Sequence, residues 1–365
     1  MTVTEHIADT LVRGSGDGPP AGRPPLFGRL ARFSVRRRRW VIAVWLVVVL
    51  AAAPLALTLT SGLSGAGWEA QGSVANQVRD ELRADFPELG AESAIVVYRQ
   101  EQPIVSDPSG LTAVVDQLRG APGAASVQDP LQLPPEAGMI SPDGTTALVP
   151  VHLTGDEDAD LPESAARLID HVAGIDVPDG ARVEVTGEWP VWSDFNASNE
   201  EALHKAELLS GLPTIILLLV AFDSAVAAGL PLILAVAGIA VGFASLRLFG
   251  MVTPLSVWSM NFSMMIGLAV GIDYSLFIVS RYREEREDGH DTERAMANTL
   301  TTAGKAVFLS ALTVVLSLAA VFLVPVMVFR SMALGMILAV IAVALASLTL
   351  LPAVLAAMGD RVLVS

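Results

Sequence analysis

Long apolar stretches separated by short polar ones dominate the pattern of hydrophobic positions along this chain. A helix that crosses a bilayer needs about 20 mostly apolar residues, and lipid leaves backbone groups no partners outside a helix. The pattern therefore predicts membrane-spanning helices. The six predicted spans are Trp40–Leu59, Leu208–Phe222, Ala225–Leu248, Val257–Ser280, Ala306–Val328 and Met332–Met358. The second window is short, and Ala202–Glu207 is expected to extend it as a helix emerging from water.

A different pattern fills the segment between the first two predicted spans. Short apolar runs rich in β-branched residues, typical of strands, alternate there with runs that have helical spacing. Such an order predicts an α/β domain with helices packed on one sheet. The predicted helices are Gln77–Phe86, Leu111–Leu118 and Pro162–Val172, and the predicted strands are Ser93–Tyr98, Thr145–Leu153 and Arg182–Thr186.

These patterns divide the chain into five parts. They are a basic, largely disordered cytoplasmic N-terminal tail (1–39), span one (40–60), an extracytoplasmic α/β domain (61–205), spans two to six (206–358) and a cytoplasmic C-terminal segment (359–365). The predicted fold class is a polytopic α-helical membrane protein with six spans and an α/β domain inserted between the first two.

Arginines mark one side of the predicted spans. Arg36–Arg39 precede the first span, and Arg281, Arg283 and Arg286 follow the fourth. Because cytoplasmic loops carry an excess of Lys and Arg, both termini are expected in the cytoplasm and the chain in the cytoplasmic membrane. A cleaved signal peptide is the alternative for the first window, whose long apolar core and distance from the N-terminus favour a retained anchor.

Composition narrows the function classes. Hydrophobic residues make up 52% of the chain, and mean hydropathy is +0.55. The acidic excess lies between residues 61 and 205, where about 25 acidic and about seven basic residues outweigh the net charge of -15 of the whole chain. An acidic segment of this kind argues against a nucleic-acid partner. The sequence has no Cys, no metal-ligand spacing among its five His and no GxxxxGK[ST] loop. We therefore expect neither an enzyme nor a bound metal or cofactor.

One carboxylate lies inside the fourth apolar window. At the middle of a bilayer, Asp273 costs about 2.5–3.5 kcal/mol on insertion scales, so its presence requires a reason. A proton or ion pathway is one reason, and a structural hydrogen bond between helices is the alternative. Tyr274 can donate a hydrogen bond beside it, and Gly267 and Gly271 form a small-xxx-small pair that permits close helix packing.

Hydroxyl groups line one face of the fifth predicted span. Ser310, Thr313 and Ser317 are spaced by three and four residues, which places them on the same side of a helix. They either support a proton relay with Asp273 or serve helix packing. The charged run Arg281–Asp288 predicts a solvated helix with local ion pairs, in which no carboxylate is buried.

These residues resemble the MmpL branch of the resistance-nodulation-division (RND) transporter superfamily. Residues 271–285, Gly-Ile-Asp-Tyr-Ser-Leu-Phe-Ile-Val-Ser-Arg-Tyr-Arg-Glu-Glu, are similar to the signature of its fourth span. The similarity extends over nearly the whole chain, as the N-terminal half of such a transporter. Further matches are Val185-Thr186-Gly187, Lys205-Ala206-Glu207, Pro213, Ala221-Phe222-Asp223-Ser224, Leu230-Pro231-Leu232 and Leu351-Pro352-Ala353.

The resemblance implies proton-driven export of a lipid or another hydrophobic compound. It assigns the proton relay to Asp273 and Tyr274, and a porter-like role to the α/β domain. Members of that family commonly have two such halves, so a homodimer or a second half-transporter chain is the expected partner, beside protons and a hydrophobic substrate. Two alternatives stay open: an accessory subunit of protein export of the Sec-associated RND type, and a truncated half without transport.

Overall fold

The computed structural model describes residues 26–59, 63–64, 67, 73–85, 93–155, 160–222 and 225–359. Helices dominate this part of the chain. They are α1 (Leu26–Arg36), α2 (Arg38–Leu57), α3 (Val74–Asp85), α4 (Ser109–Leu118), α5 (Leu161–Ala173), α6 (Glu188–Phe222), α7 (Ala225–Gly250), α8 (Trp258–Glu287), α9 (Thr292–Thr299), α10 (Lys305–Ala319) and α11 (Met327–Met358). The strands are β1 (Leu63–Ser64), β2 (Ser93–Arg99), β3 (Ala124–Val127), β4 (Thr146–Leu153), β5 (Arg182–Thr186) and β6 (Leu255–Ser256).

Five helices in these ranges are long and apolar enough to cross a membrane, so the chain is a multi-pass membrane protein. They are Arg38–Leu57, Ala227–Gly250, Trp258–Glu287, Thr292–Leu323 and Met327–Met358. Five predicted windows fall on them. The remaining window lies at the end of α6, where the apolar stretch Leu208–Val220 is shorter than a full span.

The helix of the fifth predicted span starts earlier than its apolar window. It runs from Thr292 to Leu323 through a π-helical turn, Leu300–Gly304, that joins α9 to α10. Hydropathy marks only the apolar part of a helix, so the apolar window leaves out the polar first turns of this one. At the other end the helix stops before Pro325, which lacks the backbone N–H that a helix interior uses.

The helical bundle is centred on α11, which packs against α7 and α8. Small residues allow these helices to approach closely. A Cβ atom at Gly238 would lie 2.9 Å from Val343 Cα, and one at Gly242 would lie 3.1 Å from Ala339 Cα. Backbone contact of this kind is how helices associate in lipid, where apolar burial supplies little driving force.

Residues 26–36, expected to belong to a largely disordered tail, form the amphipathic helix α1; residues 1–25 lie outside the described ranges. Ala31 and Val35 on one face of α1 are buried in the bundle core. Arg36 Nη2 lies 3.0 Å from Glu293 Oε1, which fixes α1 to α9. Since Arg38 also donates to the Ala356 carbonyl at 3.1 Å, the start of α2, the end of α11 and α9 meet at one end of the bundle, here called the basic end.

Strands β2 to β5 of the predicted α/β domain form a four-stranded antiparallel sheet in the order β3-β4-β2-β5. Along β4, buried residues alternate with half-buried ones, so Val149 and Val151 face the helices. Leu111 of α4 and Leu168 of α5 complete a core that is separate from that of the spans. All three predicted strands are confirmed to within one residue at either end, whereas β3, a short run of small residues, was not predicted.

A carboxylate-centred turn leads into β4. Ser141 Oγ donates to Asp143 Oδ1 at 2.5 Å, and the amide and hydroxyl of Thr145 donate to the same oxygen at 3.1 and 3.0 Å. These hydrogen bonds, that of Ser141 first, hold the pKa of Asp143 below its ordinary value. Gly144 follows with φ +74°, a conformation that glycine adopts without strain.

Three contacts join the α/β domain and its flanking segments to the spans. Strand β1, just after α2, pairs in parallel with β6, just before α8. The Val328 amide of α11 donates to the Gly67 carbonyl at 3.1 Å. Phe195 of α6 lies with its ring centroid 5.7 Å from that of Trp258, the first residue of α8. Helix α8, which carries Asp273, is therefore anchored at its N-terminal end.

Candidate functional site

Asp273 lies near the middle of α8, on the side of the helix that no other described residues cover. The exposed residues of α8 recur every three or four positions, so they form one stripe along the helix. We call this stripe the open face; its members are Met265, Ala269, Asp273, Phe277, Ser280 and Glu284.

Asp273 does not lie in the core of the described residues. The opposite side of α8 is occupied by Gly271, Ser275 and Ile278, which pack towards α7 and α11. Asp273 is rotated away from them and is exposed. Within the described residues, no hydrogen bond or ion pair engages its carboxylate. A carboxylate is thus presented at mid-span on the surface of the bundle.

Tyr274, one position further along α8, is buried with 5% of its surface exposed. Its hydroxyl donates to Ser310 Oγ on α10 at 3.4 Å, a long hydrogen bond. Of the predicted hydroxyl stripe, the structure brings only Ser310 to the Asp-Tyr pair. A phenol and an alcohol therefore connect α8 to α10 beside Asp273.

Thr313 and Ser317 lie further along α10 and are exposed, as Ser310 is. Thr313 Oγ1 donates to the Leu309 carbonyl of its own helix at 2.9 Å. No hydrogen bond among the described residues joins Thr313 or Ser317 to Asp273. Both residues lie on the same exposed surface of α10.

The two glycines of the small-xxx-small pair are at a helix contact. A Cβ at Gly267 would lie 2.8 Å from Ile239 Cγ1, and a Cβ at Gly271 would lie 2.8 Å from Ala235 Cβ. Real Cβ atoms do not approach so closely, so α7 occupies the space that any side chain here would need. This contact sets the rotation of α8 and hence the outward position of Asp273.

A second polar cluster, missed from the sequence, lies at the basic end. Glu285 is only 3% exposed, which corrects the prediction that Arg281–Asp288 forms a fully solvated run. Its carboxylate pairs with Arg281, accepts from Asn298 Nδ2 at 2.7 Å, and lies 3.1 Å from His290 Nδ1. Since Asn298 belongs to α9, the cluster connects two helices. The local sequence does not predict the burial of Glu285, because its partner Asn298 lies thirteen positions further along the chain.

Comparison with known proteins identifies the family of this chain. The profile of the MMPL family matches residues 67–365. The chain is 34% identical over 341 residues to membrane protein SCO6666 of Streptomyces coelicolor, covering 92% of this chain and 47% of that protein. It is 34% identical to the heme uptake protein MmpL11 of Mycobacterium tuberculosis (90% and 34% covered). It is 33% identical to the mycolic acid-containing lipids exporter MmpL11 of Mycolicibacterium smegmatis (89% and 34%). The chain thus spans between a third and a half of the length of these relatives.

Proposed function

The chain belongs to the MMPL family, and from that premise we propose that it is one half of a proton-driven RND-type transporter that exports a lipid or another hydrophobic compound. The observation that carries the proposal is Asp273, an exposed carboxylate at mid-span beside the Tyr274–Ser310 hydrogen bond. A charged carboxylate that faces lipid at this depth is unfavourable by about 2.5–3.5 kcal/mol. A carboxyl group that is protonated, or covered by protein while it is charged, avoids this cost and can carry protons.

The open face supports a second unit of the same type as the partner. Lipid does not solvate the exposed carboxylate of Asp273 at mid-span, so the stripe it occupies requires polar cover in the membrane. The curated relatives are two to three times as long as the matched region. We infer that a second copy or a second half-transporter places its own spans against this face and completes the relay of Asp273 and Tyr274.

Topology is part of the proposal. We assign the second span to Leu208–Phe222, which continues the long helix α6, and so count six spans. Since Arg36–Arg39, Arg281 and Arg286 lie at the basic end, that end is placed in the cytoplasm by the positive-inside rule. The acidic α/β domain at residues 61–205 then lies outside the membrane, as a porter-like domain.

Substitution of Asp273 tests the function directly. In the Asp273→Asn variant the side chain keeps its shape but can no longer release a proton, so export should stop while the protein still folds. The measurement is the hydrophobic content of envelope extracts from cells that carry the wild type or the variant. Asp288→Asn, which changes an exposed carboxylate just beyond α8, is the matched control and should export normally. Normal export by Asp273→Asn would overturn the proposal.

A further inference from the structure

Helix α1 presents arginines and large apolar side chains on one exposed side. Its exposed residues recur every three or four positions, so they form one stripe along the helix. The α1 stripe consists of Leu26, Arg29, Phe33 and Arg36. The buried residues of α1 lie on the opposite side, which packs against the spans. A surface that mixes arginines with large apolar side chains is typical of helices that lie at the boundary between water and lipid.

Both ends of α1 lie beside the start of a membrane span. The ring of Phe27 packs edge to face with that of Phe308, in the first turn of α10, with 5.8 Å between the ring centroids. At its other end α1 passes through Arg37 into α2, whose third residue is Trp40. Trp40 is 72% exposed, and exposed Trp side chains at the ends of spans mark the headgroup level of a bilayer. Because α1 joins the starts of two spans at the basic end, it runs along the membrane surface.

The sequence around α1 carries positive charge alone. Six arginines fall within residues 29–39, and no Asp or Glu occurs between Asp17 and Glu69. A cluster of four to eight Lys or Arg next to a span, or on an amphipathic helix, is typical of sites that bind anionic lipid.

The described part of the protein neutralises little of this charge. Arg36 Nη2 lies 3.0 Å from Glu293 Oε1 of α9. Arg29, Arg37 and Arg39 are exposed, and their guanidinium groups make no hydrogen bond or ion pair with any described residue. Three cations at the headgroup level therefore face outward from the bundle.

We propose that the exposed side of α1 binds anionic phospholipids of the leaflet at the basic end. Phosphate groups pair with Arg29, Arg37 and Arg39, while the side chains of Leu26 and Phe33 enter the apolar layer beneath. Arginine suits this position because its apolar stem can lie along lipid while its planar head donates two parallel hydrogen bonds to a phosphate. A soluble anion would satisfy the arginines but leave the two apolar side chains in water, so a lipid surface fits this side of α1 better.

Lipid bound to α1 also acts on the helices that α1 contacts. Ala31 and Val35 belong to the core of the spans, and Arg36 pairs with Glu293 of α9. Helix α1 packs against α11 and against the π-helical turn Leu300–Gly304 as well. Since a ligand that binds only the folded state stabilises it, anionic phospholipid should stabilise the whole basic end.

Thermal unfolding in detergent with added lipid is the first test. Phosphatidylglycerol should raise the unfolding temperature of the wild type more than zwitterionic phosphatidylcholine does, and less so at high salt. Arg29→Gln/Arg37→Gln removes two cations and keeps helix propensity. The concentration of phosphatidylglycerol that gives half of the shift should then rise about 25-fold, from about fivefold for each arginine.

The matched control is Arg99→Gln/Arg182→Gln, which removes two exposed cations from the α/β domain and should respond to phosphatidylglycerol as the wild type does. Equal shifts with the two lipids in the wild type would overturn the proposal. So would a response that Arg29→Gln/Arg37→Gln leaves unchanged, or one that the control weakens equally.

Contact with the acyl layer is the second test, and the absence of Cys from the sequence allows single labelled positions. Phe33→Cys carries a fluorescent label on the α1 stripe, and Asp288→Cys carries the same label at an exposed position just beyond α8. In vesicles of phosphatidylglycerol and phosphatidylcholine, brominated acyl chains should quench the label at position 33 severalfold more strongly than the label at position 288. Iodide in the water should show the reverse order.

The two quenchers leave the proposal no intermediate outcome. Stronger quenching of position 33 by iodide than by brominated lipid would mean that the stripe lies in water. Quenching of position 33 by neither would mean that protein covers the stripe. Either result overturns lipid binding at α1 and leaves the role of Asp273 untouched, because Asp273 takes no part in this site.

Discussion

Gly271 lies where α8 touches α7, and the position of Asp273 depends on that contact. A Cβ at Gly271 would approach Ala235 Cα to 3.0 Å as well as its Cβ to 2.8 Å. Backbone atoms cannot move aside as a flexible side chain can. At the scale of one residue, a hydrogen atom in place of a methyl group therefore decides which side of α8 faces the bundle.

We expect Gly271→Ala to destabilise the protein by about 1–3 kcal/mol, as overpacked core substitutions do. The measurement is thermal unfolding of the purified protein in detergent. Gly229→Ala in α7 is the matched control, because no atom lies within 4 Å of the added Cβ. That change should be neutral or stabilising by up to about 1 kcal/mol, since Ala favours helix. Equal stability of both variants with the wild type would contradict the packing argument.

At the scale of helix pairs, Glu285 joins α8 and α9 at the basic end. Glu285 lies on α8, where it pairs with Arg281, and it accepts a hydrogen bond from Asn298 of α9. It also lies beside His290 in the loop between the two helices. Removing one partner of a buried polar group leaves the others without compensation, which costs more than the hydrogen bond itself contributed. The cluster should therefore stabilise the α8–α9 junction far more than its exposed neighbours do.

Two adjacent substitutions separate burial from charge. Glu285→Ala should lower the free energy of unfolding by about 1–3 kcal/mol, because Asn298 and Arg281 lose a shared partner. Glu284→Ala removes a carboxylate that also pairs with Arg281, at 2.8 Å, but that is 61% exposed. Its effect should stay below about 1 kcal/mol, as for other surface ion pairs. Chemical denaturation in detergent compares the two, and a Glu284→Ala effect as large as that of Glu285→Ala would show that burial is not the cause.

The sequence predicts features that arise within a single helix, but not those that depend on contacts between helices. Apolar windows located five spans, because the membrane imposes that pattern on each helix separately. The burial of Glu285 and the exposure of Asp273 could not be predicted, because each depends on which helix packs beside α8. Tyr274 and Asp273 are neighbours in sequence, yet a rotation of about 100° per residue places one in the core and the other on the open face.

At the scale of the whole molecule, one surface of the spans carries a carboxylate that lipid does not solvate. Within the span, the open face of α8 carries Asp273 and Ser280, while α10 beside it exposes Ser310, Thr313 and Ser317. By contrast, α7 exposes Ile233 and Val236, which suit lipid. Apolar side chains such as Phe277 of α8 and Leu316 of α10 are exposed on the same two helices. The carboxylate of Asp273 at mid-span is therefore the group that marks this surface for contact with protein.

The complex extracted gently from its membrane should accordingly have at least twice the 38.3 kDa mass of one chain. Ala269 is a small exposed residue on the open face, one turn from Asp273, so Ala269→Trp should prevent close packing of the second unit and shift the mass to that of the monomer. Val236→Trp changes a residue of α7 that is 64% exposed and should leave the assembly intact. Native mass spectrometry distinguishes these species. A wild-type protein that remains monomeric, or an assembly that tolerates Ala269→Trp but not Val236→Trp, would mean that the second unit does not cover Asp273. The relay would then have to be completed from this chain alone.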